Sequence, residues 1–518
     1  MQLEQQIETL VERLNALAVE NEALRRENKI LRAELQAFRL GLFGRRSERL
    51  DPGQLLLIET GEALPPPIEE SSEAAARPAQ QAKGHGRALF PEHLPRETVE
   101  LDVPESDRIC PDCGSAMKPM GEDTCERGHI VPAKLVVRRY VKKKYGCPDG
   151  HAVKTAAAPD SVIDGGKYEA SVYAHIATAK YDDHLPLHRL EGIFKRYGVQ
   201  ISKQSMWDML ARVDELVAQP VLAEMRRQLL EEPVLHSDET PVTMRLEGGK
   251  GTSQGYAWGW RSLREAEQPK VLIEFRPSRG RDGPLQFLGG WAGTLLTDGY
   301  SGFDEVTVRN DIVRAGCWAH ARRKFKEALE VESKAAAHVL RPIQRLFWIE
   351  RAIGRRIERA ELDVARGITL RRTVREKRST RVIAAIYHAA ERLEHDRATL
   401  PKSKLAKAIG YLVRQRAPLS VFLADARIPI HNNDAERDLR HIAIGRKNWL
   451  VFASERGGEV ACRLYSLVLS CKQAGVDPEL YIEDVLGKVS STPASRIADL
   501  TPWGWAAARE RAATTAAN

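Results

Sequence analysis

Residues 293–303 read GTLLTDGYSGF, an apolar run that drives into Asp298 and then into glycines and a serine that turn the chain. A short apolar run closed by turn formers is the pattern of a buried strand. An earlier stretch, PVLHSDET at 233–240, ends its own apolar run at Asp238. Between them YAWGWRSL (256–263) and KVLIEF (270–275) read as strands; IVRAGCW (312–318) offers a fifth, and AHARRKFKEALE (319–330) a basic helix. Three early strands, a helix, then strand, helix, strand, helix is a ribonuclease-H-like order. It places Asp238 and Asp298 at the ends of adjacent central strands and leaves a third acid to arrive on a later helix.

HNNDAERDLR, residues 431–440, is the candidate source of that acid. If Asn432 or Asn433 caps a helix, Glu436 lies in its first turns and Arg440 one turn later on the same face. Glu436 then completes a cluster with Asp238 and Asp298, while Arg437, Arg440, Arg446 and Lys447 hold phosphates. Arg322, Arg323 and Lys324 of the basic helix add further DNA contacts. Carboxylates are hard ligands suited to Mg²⁺ or Mn²⁺, and two such ions roughly 4 Å apart serve in-line displacement at phosphorus. A plain Glu436–Arg440 surface pair is the competing reading, and it leaves the two acids at strand ends without a purpose.

From about residue 327 to 425 the sequence turns helical and basic, with Arg341, Arg345, Arg351, Arg355, Arg356, Arg371, Arg372, Arg375, Lys377, Arg378 and Arg381. We read it as an insertion that divides a core of 230–326 and 426–475, with a C-terminal tail region at 476–518. A one-signed excess of this kind favours phosphate contact over a merely solvated face.

The N-terminal half carries three further modules. Within residues 1–42 the apolar positions alternate in steps of four and three, with Ile7, Leu14, Asn21, Asn28 and Leu35 at a and Leu3, Leu10, Leu17, Leu24, Leu31 and Phe38 at d. This heptad seam predicts a parallel coiled-coil homodimer whose register the two asparagines fix. Residues 51–95, rich in proline, alanine and glutamate, read as a flexible linker. Within 100–155, Cys110-Pro-Asp-Cys113 forms a knuckle and Cys147 with His151 a second, giving a Cys3His zinc site; Cys125 and His129 have similar spacing and compete for the second pair. Within 168–220, LHRLEGIFKRYGVQISKQSMWDMLARV has helix-turn-helix grammar. Gly198 ends one helix, Ser202 caps the next, and Lys203, Gln204 and Ser205 face a groove.

The bulk numbers agree with such a multidomain α/β chain. At 518 residues it exceeds one core, its charge of +8 suits a polyanion, and no run approaches the roughly 20 apolar residues of a membrane span. Seven scattered cysteines and the lack of a signal-like segment after Met1 suggest a cytoplasmic, nucleoid-associated protein.

These motifs together resemble the DDE transposases of the insertion sequence 66 family. FGRRSERL, CPDCG, DDHLPLHRLEGIF, DETPV, TDGYSGF, WAHARRKF, NNDAERDLR, GRKNWLVFAS and GVDPELYIEDVL occur in order along nearly the whole chain. The resemblance implies that Asp238, Asp298 and Glu436 are the catalytic triad and that the CPDCG region is a zinc-finger-like domain. It also implies action on element ends and target DNA, with two small helper proteins of the same element as partners. A non-catalytic DNA-binding regulator, which gives the three acids nothing to do, and a ribonuclease-H-like nuclease that cuts by structure are the alternatives.

Overall fold

The computed structural model describes residues 166–246 and 251–517, the stretches 134–146 and 153–157, and the single residues Thr98 and Val162. The expected coiled coil at 1–42, the linker at 51–95, and Cys110, Cys113, Cys125, His129, Cys147 and His151 lie outside the described residues. The described residues divide between two units, with Thr98 and 134–139 in one and everything from Tyr140 onward in the other. Residues 134–139 carry no regular secondary structure. In the second unit β1 (Lys144–Gly146) pairs antiparallel with β2 (Val153–Thr155).

Among the described residues, four helical segments precede the main sheet: α1 (Ala170–Tyr181), α2 (Leu187–Arg196), α3 (Lys203–Val213) and, after a π-turn at Asp214–Ala218, α4 (Gln219–Leu229). Gly198 takes φ +81° just past α2, a left-handed conformation that a side chain would strain. The Ser202 hydroxyl accepts the Ser205 N–H at 3.1 Å and starts α3, and Ile201 fills the corner at 2% exposure.

The sheet has the order β5-β4-β3-β6-β7. β3 (Val234–Arg245), β4 (Thr252–Ser262) and β5 (Val271–Arg276) form an antiparallel meander. After α5 (Asp282–Leu288), β6 (Thr294–Thr297) joins β3 in parallel; α6 (Asp304–Arg309) then leads to β7 (Val313–Gly316), parallel to β6. Each parallel strand returns through a helix, as a parallel pair requires.

Asp238 is not the end of its strand: β3 continues seven residues to Arg245. Val242 and Met244 are buried in this outer half, which pairs with β4, while the Phe452 N–H donates to Thr243 O at 2.8 Å on the other side. The strand persists because its apolar alternation persists. What ends at His236 is the pairing with β6.

α7 (Trp318–Leu329) opens a helical block: α8 (Ser333–Arg359), α9 (Val364–Val374), a π-turn at Arg375–Ser379, α10 (Thr380–Glu394), α11 (Lys404–Arg414) and α12 (Arg416–Ala424). It does not carry a core of its own. Leu296 and Ala315 of the sheet share one buried cluster with Trp318, Phe325, Ile343, Ile386 and Leu419. Arg375, read from sequence among the phosphate-contacting cations, is fully buried. Its Nε and Nη2 each donate to Glu350 at 2.8 Å, and Nη1 donates to Phe422 O and Ile428 O at 2.8 and 3.0 Å. A guanidinium so enclosed by acceptors holds helices together and contacts no phosphate.

The chain then returns to the sheet through α13 (Asn433–Trp449) and α14 (Glu455–Gln473), and closes with α15 (Pro478–Lys488) and α16 (Pro502–Ala517). α14 covers β5, where the Ser466 hydroxyl accepts the Ile273 N–H at 2.7 Å. α15 packs on α1.

Candidate active site

In the β3–β6 register Leu235 faces Leu295 and His236 faces Leu296, an offset that carries Asp238 level with Asp298, just beyond the last residue of β6. The Asp298 Oδ1 accepts the Tyr300 N–H at 2.8 Å, which fixes the turn after β6 and holds the carboxylate over the strand ends.

Glu436 reaches the same place because α13 is tied to the sheet at several points. Asn432 is fully buried; its Nδ2–H donates to Ser237 O at 2.8 Å, and its Oδ1 lies 3.1 Å from His236 Nδ1. It stands at the N-cap position without capping, since its side chain is spent on β3. Arg261 of β4 donates to Asp438 at 2.8 Å, a pair in which both side chains are buried. Arg446 donates to Thr240 Oγ1 at 3.3 Å and to Pro241 O. Gly259, opposite Asp238 in the β3–β4 register, lets the helix lie close: a Cβ there would stand 3.2 Å from the Leu439 side chain.

Asp238, Glu239, Asp298 and Glu436 thus line one open cleft of about 360 Å³, together with Thr240, Arg279, His320, Arg323, Leu439, Arg440 and Ala443. The three sequence-chosen acids share this cleft. Burial, reinforced by the carboxylates of Glu239, Glu436 and Asp298, pushes the Asp238 carboxyl up to about 8. Glu239 is raised by burial and by Asp298, against the Arg279 guanidinium, whose Nε donates to it at 2.8 Å. Burial and the nearby Arg323 lower the His320 imidazole below its usual range, despite the pull of Glu436 and Asp298. These acids face one cleft and offer hard oxygen donors to divalent cations, although no three of their oxygens lie within 4.8 Å of one another.

Arg323 and Arg440 of the sequence-chosen cations line the cleft. Arg437 is exposed and pairs with Asp434 at 2.9 Å, and Lys447 is exposed one turn from the end of α13. Arg446 is committed to β3, as above. Arg322 is half-buried, 5.5 Å over the Phe347 ring, and Lys324 lies 5.0 Å over Tyr411. Lys203, Gln204 and Ser205 form the accessible first turn of α3, remote in sequence from the cleft, with Gln204 donating to Asp208 at 2.9 Å.

Sequence reasoning passed over Glu239, Arg279, His320 and Cys317. Strand alternation puts Glu239 on the face opposite Asp238, but Glu239 lies past the last β3–β6 pair, where Arg279 reaches in from the segment after β5. The available signal was the adjacency of two acids in DETPV and the Cys-x-x-His spacing in CWAH.

A family model described as "Transposase IS66 family" matches residues 165–460, more than half of the chain. Three others match the zinc-finger binding domain of transposase IS66 at 107–149, the "Transposase C of IS166 homeodomain" at 30–99 and the IS66 C-terminal element at 466–503. The zinc-finger match spans Cys110, Cys113 and Cys147. Among curated relatives from Sinorhizobium fredii, the uncharacterized protein y4jD is 31% identical over 488 residues, covering 90% of this chain and 92% of its own. The uncharacterized protein y4qI is 31% identical over 89% of this chain and 86% of its own, and y4hP is 28% identical over 91% and 88%. None of the described helices is long and apolar enough to cross a membrane. With a homeodomain-type region, a zinc-finger region, a mixed α/β catalytic region and a C-terminal element matched in this order, the chain belongs to the insertion sequence 66 family of transposases.

Proposed function

We propose that the chain is the catalytic transposase of its element: a ribonuclease-H-like nuclease that cleaves a strand at each element end and joins the freed 3′-hydroxyl to target DNA. One observation carries this reading, the convergence of Asp238, Asp298 and Glu436 from β3, the β6 terminus and α13 on a single cleft. The sheet order supports the fold assignment, because three antiparallel strands followed by two parallel ones flank the first two acids.

The three carboxylates would hold divalent ions of the magnesium class; the raised Asp238 marks the electrostatic demand for them. Such ions, when bound, activate the attacking oxygen and stabilise the leaving one. The protein supplies the rest. Arg323 and Arg440 at the cleft wall receive the phosphodiester, and Arg279 holds Glu239 so that this extra acid stays fixed beside the scissile position. In the first step a water oxygen forms a bond to phosphorus, the P–O3′ bond breaks, and the 3′-oxygen leaves with a proton. In the second the 3′-hydroxyl attacks a target phosphodiester, displaces its 3′-oxygen and loses its proton. Neither step needs a covalent link to the protein.

DNA on the first turn of α3, a zinc ion held by Cys110, Cys113, Cys147 and His151, a homodimer through residues 1–42 and two small helper proteins complete the proposal. Its test is cleavage of a duplex carrying the element's own ends with Mg²⁺. Asp238→Ala and Glu436→Ala should each lose several kcal/mol of transition-state stabilisation, about 1,000-fold in rate, yet still bind DNA. Cleavage at the parent rate by either variant removes the assignment.

A further inference from the structure

Three donors of unlike chemistry meet at the wall of the cleft. The Cys317 thiol, an imidazole nitrogen of His320 and a Glu436 carboxylate oxygen all lie within 4.8 Å of one another, and no other such group of three occurs among the described residues. Cys317 is the N-cap of α7 and His320 follows in its first turn, while Glu436 comes from the first turn of α13. His320 Nε2 stands 3.6 Å from Glu436 Oε1, beyond hydrogen-bond range, and Nδ1 is buried without a partner. Neither ring nitrogen is hydrogen-bonded, although buried polar atoms usually are. Cys317 Sγ is buried and accepts the Asn432 N–H at 3.2 Å, a contact that fixes the sulfur without using up its lone pairs.

Sulfur, imidazole nitrogen and carboxylate oxygen is a donor set for zinc-class ions, and magnesium has no affinity for the first of them. Three protein donors also leave a fourth position open. We propose that Cys317, His320 and Glu436 bind one thiophilic divalent ion of the zinc or cadmium class, at a site that shares only Glu436 with the acid cluster and competes with hard ions for it. On binding, the thiol proton passes to solvent and the thiolate bonds the ion; nothing is oxidised or reduced. The competition rests on the nuclease reading of Glu436, whereas the binding itself does not.

The experiment uses the full chain as wild type, Cys317→Ser and His320→Ala, stripped of metal and titrated with cadmium. Thiolate-to-metal absorbance and equilibrium dialysis report the uptake. The cysteines at 110–147 are present in all three proteins, so the difference between them isolates the new site. Wild type should take up one more cadmium ion per chain than Cys317→Ser. His320→Ala should bind that ion at least about 100-fold more weakly, since losing even an outer-shell partner costs about 10–100-fold. Serine keeps an acceptor for the Asn432 N–H, and His320→Ala gives an independent decision if the serine variant does not fold. Equal uptake by wild type and folded Cys317→Ser, or equal affinity in wild type and folded His320→Ala, overturns the site. In the presence of Mg²⁺, added zinc should slow cleavage by wild type and leave the rate of Cys317→Ser, relative to its own zinc-free rate, unchanged; equal slowing overturns the competition. If wild type shows no Mg²⁺-dependent cleavage while the cadmium difference persists, the nuclease reading fails and the soft-ion site stands.

Discussion

Asn432 does what its neighbour in the same dipeptide does not. Both asparagines read as caps, yet Asn432 gives its amide to Ser237 O and its carbonyl to His236, one and two residues before Asp238. Its backbone N–H donates to Cys317 Sγ, so a single residue fastens α13 to both β3 and α7. Burial pushes the His236 imidazole down to about 4, against the hydrogen bond to Asn432, so at neutral pH the ring is uncharged. Asn432→Ala would leave a buried donor and a buried carbonyl unpaired, at about 1–3 kcal/mol for such a group. We expect denaturant unfolding to show a loss of that order. Cleavage by the folded fraction should fall as well, because Glu436 sits one turn from the lost anchor; a variant that lost stability alone would show Asn432 to be structural only.

Between elements, two ion pairs allow contrasting tests. His175 of α1 lies 3.1 Å from Glu479 of α15, and hydrogen bonding to that carboxylate raises the imidazole above its usual value. The pair therefore stabilises fully below about pH 6.5, the ordinary imidazole value, and its contribution is lost as pH rises through the raised one. With 37% and 41% of the two side chains exposed, solvent screening keeps the effect under about 1 kcal/mol. The Tm difference between wild type and Glu479→Gln should widen as pH falls from about 9 to 6. Asp183, also near this ring, is present in both proteins.

Arg375 and Glu350 form the opposite case. Glu350→Ala strands a buried guanidinium and should cost about 3–5 kcal/mol, read as a lower denaturation midpoint for the core that the helical block shares with the sheet. That pair was illegible in the sequence, because Arg375 stands in REKRS among cations that do face solvent. The strands were legible for the converse reason: each apolar run must be buried, and an acid at its limit marks where burial stops. Asp238 shows where that logic gave out, since the run paused for the cleft and resumed at Val242. Glu239 and His320 escaped notice because their place depends on where a neighbouring strand ends and on how two helices approach, which no local period encodes.

Over the whole molecule the charge pattern sets a problem of delivery. The cleft sets four carboxylates against Arg279, Arg323 and Arg440 and so has little net attraction for DNA; cations outside it must supply most of the affinity, and the +8 of the chain is available for that. α8 offers the clearest surface: Arg351, Arg355 and Arg359 are all exposed and recur every fourth residue, on one side of the helix. Alanine at these three positions keeps helix propensity and removes only charge. If all three contact phosphates, the slope of log affinity against log salt should shrink by about 2.7, at 0.9 per contact, while cleavage at saturating DNA stays as before. Fluorescence anisotropy over a salt series measures this. An unchanged slope would mean that the face of α8 serves solubility and that DNA follows another path to the acids.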